Sequence, residues 1–203
     1  MGGFHMNSVT RRRPGGNWSV SRIDKAEHYQ TVLYEIDMLR YSYSHILRPP
    51  DAARDADVWA YLESFLVHYR NLLDFFGKAG ASNTDLTLGH PEMIWSANAG
   101  LTDRAPSQEI LEKMRALGQK LWEKYDDRNQ RDDTISRYLQ HCTTYRTSAK
   151  EWFPVAMMKE ISEVLALFEQ HLPEFRPATK SRPINREHFL GGGSVSTHSG
   201  SSP

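Results

Sequence analysis

The strongest constraint on this chain is a stripe of apolar residues between positions 51 and 77. Val58, Leu62, Phe65, Tyr69, Leu72 and Phe76 recur at spacings of three and four, the period that lines side chains along one face of an α-helix. Trp59, Leu66 and Leu73 widen the stripe beyond a single seam. A helix this apolar is expected at the centre of a fold, with neighbours on more than one side. Carboxylates between Asp51 and Asp57 suit the positive end of its dipole, and glycines from Gly77 to Gly80 end it.

The same period recurs four more times. Val32, Ile36, Leu39, Tyr43 and Ile46 form a stripe preceded by Ser21 and Asp24, a capping-box pattern, and stopped by Pro49-Pro50 after about Leu47. Pro106 is expected in the first turn of a third helix, with Ile110, Met114, Leu117 and Leu121 as its stripe and Trp122 and Tyr125 alongside; Asp126 to Asn129 break it. Asp132 or Asp133 is expected to cap a fourth, carrying Ile135, Tyr138, Leu139 and Cys142. Pro154 suits the first turn of a fifth, with Met158, Ile161, Leu165, Phe168 and Leu172 as its stripe and Pro173 past its end. No strand period of two competes. Residues 81–105 form the one long connection, marked by turn signals at Gly89-His90-Pro91 and Asn98-Ala99-Gly100, and are expected to pack as a flap. The pattern predicts an all-α fold, a four- to five-helix up-and-down bundle with one long connection and disordered termini.

Charge divides the chain into the same parts. Residues 1–19 carry Arg11, Arg12 and Arg13 and no acid, and residues 176–203 carry Arg176, Lys180, Arg182 and Arg186 against Glu187 alone. Both are read as disordered basic tails, the second rich in Gly and Ser, with little apolar surface to offset ordering. The body, 20–175, keeps 18 of the 25 basic and 24 of the 25 acidic side chains. An acidic body is a poor general binder of nucleic acid, because that affinity rests on neutralising phosphate. One Cys excludes a disulfide framework and a multi-cysteine zinc site. No apolar run approaches the roughly 20 residues that a membrane helix needs. The expected location is the cytoplasm, without membrane, cofactor or metal.

Two helical stretches carry the candidate chemistry. In Glu63-Ser-Phe-Leu-Val-His68-Tyr-Arg70-Asn71-Leu-Leu-Asp74-Phe-Phe76, Glu63, Arg70 and Asp74 share a narrow polar face, and Arg70 and Asp74 are four apart and able to pair. His68 lies elsewhere, at the edge of the apolar arc. It is expected to be at least half buried, either hydrogen-bonded to another helix or serving as a base or phosphate contact. In Arg137-Tyr-Leu-Gln-His141-Cys142-Thr-Thr-Tyr145-Arg146, Cys142 reads as a small core residue, and Arg146 falls within the apolar arc. A guanidinium there needs acceptors. Asp74 is the first expected partner and Glu63 the second.

The segments ESFLVHYRNLLDFF and ISRYLQHCTTYR, followed by EWF, resemble a bacterial group of helical proteins that is itself similar to the HEPN superfamily. The resemblance covers about residues 20–172. Members of that superfamily include metal-independent ribonucleases of toxin–antitoxin and anti-phage systems, and non-catalytic RNA-binding or interaction modules. The catalytic families carry Arg-Asn/His/Asp-x4-His on a helix, commonly at a dimer interface. Arg70-Asn71 matches the opening of that motif, but the His position is Phe76.

The resemblance thus implies an HEPN-like, non-catalytic interaction module whose partner is another protein or a second copy of the chain, with RNA a weaker candidate. The alternative is a metal-independent ribonuclease built on His68, Arg70, Asn71, His141 and Arg146. A third reading is a small-molecule site under the flap with His90 and Trp95. An enzyme requires imidazole and guanidinium groups to converge in a cleft, whereas an interaction module requires an exposed apolar surface.

Overall fold

A computed structural model of the chain describes residues 28–77, 86–97, 100–127, 133–140 and 151–173. Five α-helices occupy these segments: α1 (His28–Leu47), α2 (Asp55–Gly77), α3 (Gln108–Tyr125), α4 (Ile135–Gln140) and α5 (Pro154–Glu169). No strand occurs among the described residues. The fold is an all-α bundle with one long connection, as the periodicity predicts. Both basic tails, the capping pattern at Ser21, and Cys142 lie outside the described residues.

The central helix is α2, which packs against α1, α3 and α4. Its two ends follow from local chemistry. Asp57, at the third helical position, accepts a hydrogen bond from the Arg54 backbone N–H at 2.9 Å, half of a capping box. The Arg54 side chain bonds the same carboxylate and holds it below its ordinary pKa. At the other end Gly77 meets α3 without a side chain between them. Along the helix Phe65, Leu66, Tyr69, Leu72, Leu73, Phe75 and Phe76 are buried. Trp59 is not part of this set. It is 54% exposed.

α1 runs antiparallel to α2. Successive contacts pair Glu35 with His68, Ser42 with Ser64, and His45 with Tyr61, so one residue number rises as the other falls. Val32, Leu33, Ile36 and Leu39 are buried, while Tyr43 and Ile46 are only partly covered. α3 is also antiparallel to α2, with Tyr69 against Tyr125 at one end and Phe76 against Gly118 at the other. A Cβ on Gly118 would lie 2.5 Å from Phe76 Cβ, and one on Gly77 would lie 2.3 Å from the Gly118 backbone. The crossing therefore depends on two glycines in contact.

Several boundaries differ by a residue or two from the sequence reading. Ser107 is the N-cap of α3 and accepts from Ile110 N–H at 3.3 Å, so Pro106 precedes the cap and is not in the first turn. Thr134, and not Asp132 or Asp133, caps α4, its Oγ1 accepting from Arg137 N–H at 3.2 Å. Asp126, at the end of α3, adds two bonds to the same helix start, from Ser136 N–H and Ser136 Oγ, both at 2.7 Å. Leu111 and Met157 are buried where Ile110 and Met158 were expected, and the latter two pack at the margin. Each is a shift of one residue, about 100° around a helix.

The connection after α2 packs as a flap. Leu88, Ile94, Trp95 and Leu101 are buried. Trp95 Nε1 donates to the His171 carbonyl at 3.0 Å, and Arg104 Nη1 donates to the Leu172 carbonyl at 2.9 Å. Both bonds tie the flap to the turn that follows α5. Beneath them, Phe168 meets Trp95, Phe75 and Phe76 edge-on, with ring centroids 5.5–5.6 Å apart.

Candidate functional site

The polar residues singled out on α2 divide between two sides of that helix. His68 and Arg70 are two residues apart, so their side chains leave the axis about 160° from each other. His68 faces α1. Its Nδ1 lies 2.7 Å from Glu35 Oε2, and Asn71 Nδ2 donates to the same oxygen at 3.0 Å. Because an ionised carboxylate only accepts, His68 carries its proton on Nδ1 in this contact. The Tyr34 ring packs on the imidazole in a T-shaped contact at 5.8 Å. His68 is 9% exposed, a core-edge histidine bonded to another helix, one of the two arrangements expected for it.

Arg70 points the other way. Its Nε stands 3.9 Å from Asp74 Oδ2, which makes the expected i, i+4 pair but not a hydrogen bond. Glu63 is half-buried on the same helix. Phe76, where the resemblance would place a histidine, is 2% exposed and fixed in the aromatic cluster under the flap. His141 and Arg146, and with them the expected pairing of Arg146 with Asp74 or Glu63, lie outside the described residues. Of the five residues of the ribonuclease reading, the structure thus brings together His68 and Asn71 and directs Arg70 away from them.

Glu35 organises this site, and no motif marks it. Its sequence signal is slight. It lies about 100° from Ile36, on the flank of the α1 stripe. A carboxylate on such a flank needs a donor from the next helix, and α2 offers His68 and Asn71. Beside the triad is a cleft of about 130 Å³, lined by Val32, Leu72, Phe75 and Leu86 together with Thr31, Glu35 and Asn71. The flap residues named as a ligand site do not share it. Trp95 is buried with its N–H bonded to His171, and His90 is exposed, with Nδ1 3.3 Å from Thr87 Oγ1.

Among the described residues, no group of three or more His, Cys, Asp or Glu is placed to hold a metal ion, and no helix is long and apolar enough to cross a membrane. In comparisons with known proteins, no family model, curated protein or solved structure matches this chain.

The outer surface of α1 has a different character. Tyr34 and Tyr41 are 41% and 51% exposed, and Met38 and His45 complete a ridge at spacings of four, three and four. Tyr41 and Tyr61 each stack on His45, with centroid separations of 4.2 and 4.7 Å. The ridge carries aromatic and sulfur side chains and no formal charge unless His45 is protonated.

Proposed function

We propose that this chain is an HEPN-like helical bundle acting as a non-catalytic interaction module, with another protein or a second copy docking on the Tyr34–Met38–Tyr41–His45 ridge. The exposed ridge is the observation that carries the reading. Tyrosines offer large contact area at low entropy cost and are enriched where proteins meet. Tyr34 and Tyr41 face water, with Met38 and His45 partly covered alongside them. The direction of Arg70 away from His68 and the burial of Phe76 both weigh against assembly of a ribonuclease site on α2. The acidic body weighs against RNA as the main partner. A cytoplasmic location accords with this reading.

Two measurements test it. Purified protein is expected to cleave single-stranded RNA without metal no faster than the His68→Ala or His141→Ala variant. Cleavage abolished by either substitution would replace the interaction module with the ribonuclease. Sedimentation velocity of the chain, alone and with a purified candidate partner, is expected to show association that Tyr34→Ser together with Tyr41→Ser weakens at least tenfold, with the melting temperature held. Association unaffected by the pair would remove the ridge from the interface.

A further inference from the structure

The Glu35 carboxylate has bonding capacity that the fold does not use. Oε2 already accepts from His68 and Asn71. Among the described residues, Oε1 receives no hydrogen bond, and no Lys or Arg lies within ion-pair distance of Glu35. Glu35 stands on the wall of a cleft whose other lining residues are Thr31 and Asn71 beside the apolar Val32, Leu72, Phe75 and Leu86. A half-buried charge in such surroundings favours a counter-ion. The cleft holds about 130 Å³, the liquid volume of roughly four waters. That is smaller than a typical ligand site and matches a chain of a few methylenes ending in a compact cation.

We propose that this cleft binds a primary alkylammonium ion, with the ammonium on Glu35 Oε1 and the methylenes against Val32, Leu72, Phe75 and Leu86. The ion is either a free small amine or the end of a lysine side chain. The inference is independent of the α1 ridge, and failure of one leaves the other standing.

Methyl-detected NMR titration of the full chain at pH 8 tests it, with n-butylammonium, n-butanol and Nα-acetyl-lysine methylamide as probes at matched ionic strength. Butylammonium is expected to shift the methyls of Val32, Leu72 and Leu86 saturably and to bind at least tenfold more tightly than butanol. Glu35→Gln keeps an acceptor for His68 and Asn71; it is expected to remove that tenfold preference and leave butanol binding unchanged. Leu86→Phe, which fills the cleft and retains the charge, is expected to abolish binding of every probe, and it serves if Glu35→Gln does not fold. Lysine methylamide binding within threefold of butylammonium assigns the site to a lysine side chain, and its exclusion assigns the site to a free amine. Equal binding of butanol and butylammonium, or no saturable shift at these methyls, overturns the proposal.

Discussion

Tyr69 on α2 is wholly buried, with its ring edge-on to Tyr125 of α3, and its hydroxyl has no hydrogen-bond partner. Burial pushes its pKa far up, with the nearby Tyr125 and Glu160 adding to the effect. An unpartnered buried hydroxyl costs about 1–3 kcal/mol of desolvation, so Tyr69→Phe is expected to be neutral or stabilising by about 1 kcal/mol in urea denaturation. A loss above that size would reveal a partner for the hydroxyl. The pH dependence has a definite sign. The folded state keeps this proton when the unfolded chain, above pH of about 10, releases it. Stability therefore falls as pH rises past that point, and Tyr69→Phe should flatten part of the fall. The opposite case is Glu35, whose oxygen satisfies two donors. Glu35→Ala leaves His68 and Asn71 without their acceptor and is expected to cost about 2 kcal/mol. In a cycle with His68→Ala, the double variant should recover about 1 kcal/mol of the summed losses; strict additivity would mean that the pair contributes nothing.

The clearest test at the level of helices is Gly118. In an exposed helix, Gly→Ala stabilises by about 1 kcal/mol. Here the added methyl would meet Phe76 Cβ at 2.5 Å and the Gly77 backbone nitrogen at 2.9 Å. Backbone cannot rotate aside as a long side chain does, so α2 and α3 must separate. Overpacking of this kind costs about 1–3 kcal/mol, and Gly118→Ala is expected to lower stability by about 2 kcal/mol. Lys120→Ala, on the exposed face of α3, is the control and should change little. Calorimetric melting of both decides; a stabilised Gly118→Ala would mean that the crossing is looser than described. The sequence shows Gly118 as a mid-helix glycine with no turn beside it, which is a cue to close approach but does not say to what.

For the molecule as a whole, the flap and α5 close the fold around Phe168. Arg104 is bonded to the Leu172 carbonyl, and His171 Nδ1 meets the Arg104 carbonyl at 3.0 Å. These contacts join residues far apart in the chain, yet they cover the core from outside and do not build it. Arg104→Ala is accordingly expected to open the flap locally. Amide exchange at Leu101 and Arg104 should quicken about ten- to a hundredfold, the equivalent of one charge-assisted hydrogen bond, while the melting temperature falls by only about 3 °C or less. A global loss of stability would instead place the flap within the cooperative core. Arg40, bidentate to Glu169 at 2.8 and 2.7 Å, ties α1 to the same end of α5. Its exposure limits its contribution to about 1 kcal/mol or less.

What the sequence determined by itself was the set of helices and, broadly, the buried side of each. Apolar period, proline and glycine act within one segment, so Pro49-Pro50, Pro154 and the stripe from Val58 to Phe76 could be interpreted without knowing any neighbour. The tertiary structure decided how far each helix turns about its axis. An apolar stripe is wider than the seam it buries, and only the helix opposite selects Leu111 over Ile110, or Met157 over Met158. It also decided which polar groups meet. His68 read alone was compatible with catalysis or with structure; what surrounds it was set by Glu35, 33 residues earlier, where α1 lies antiparallel along α2. That pairing arises from the packing of two helices, a property that neither segment carries alone.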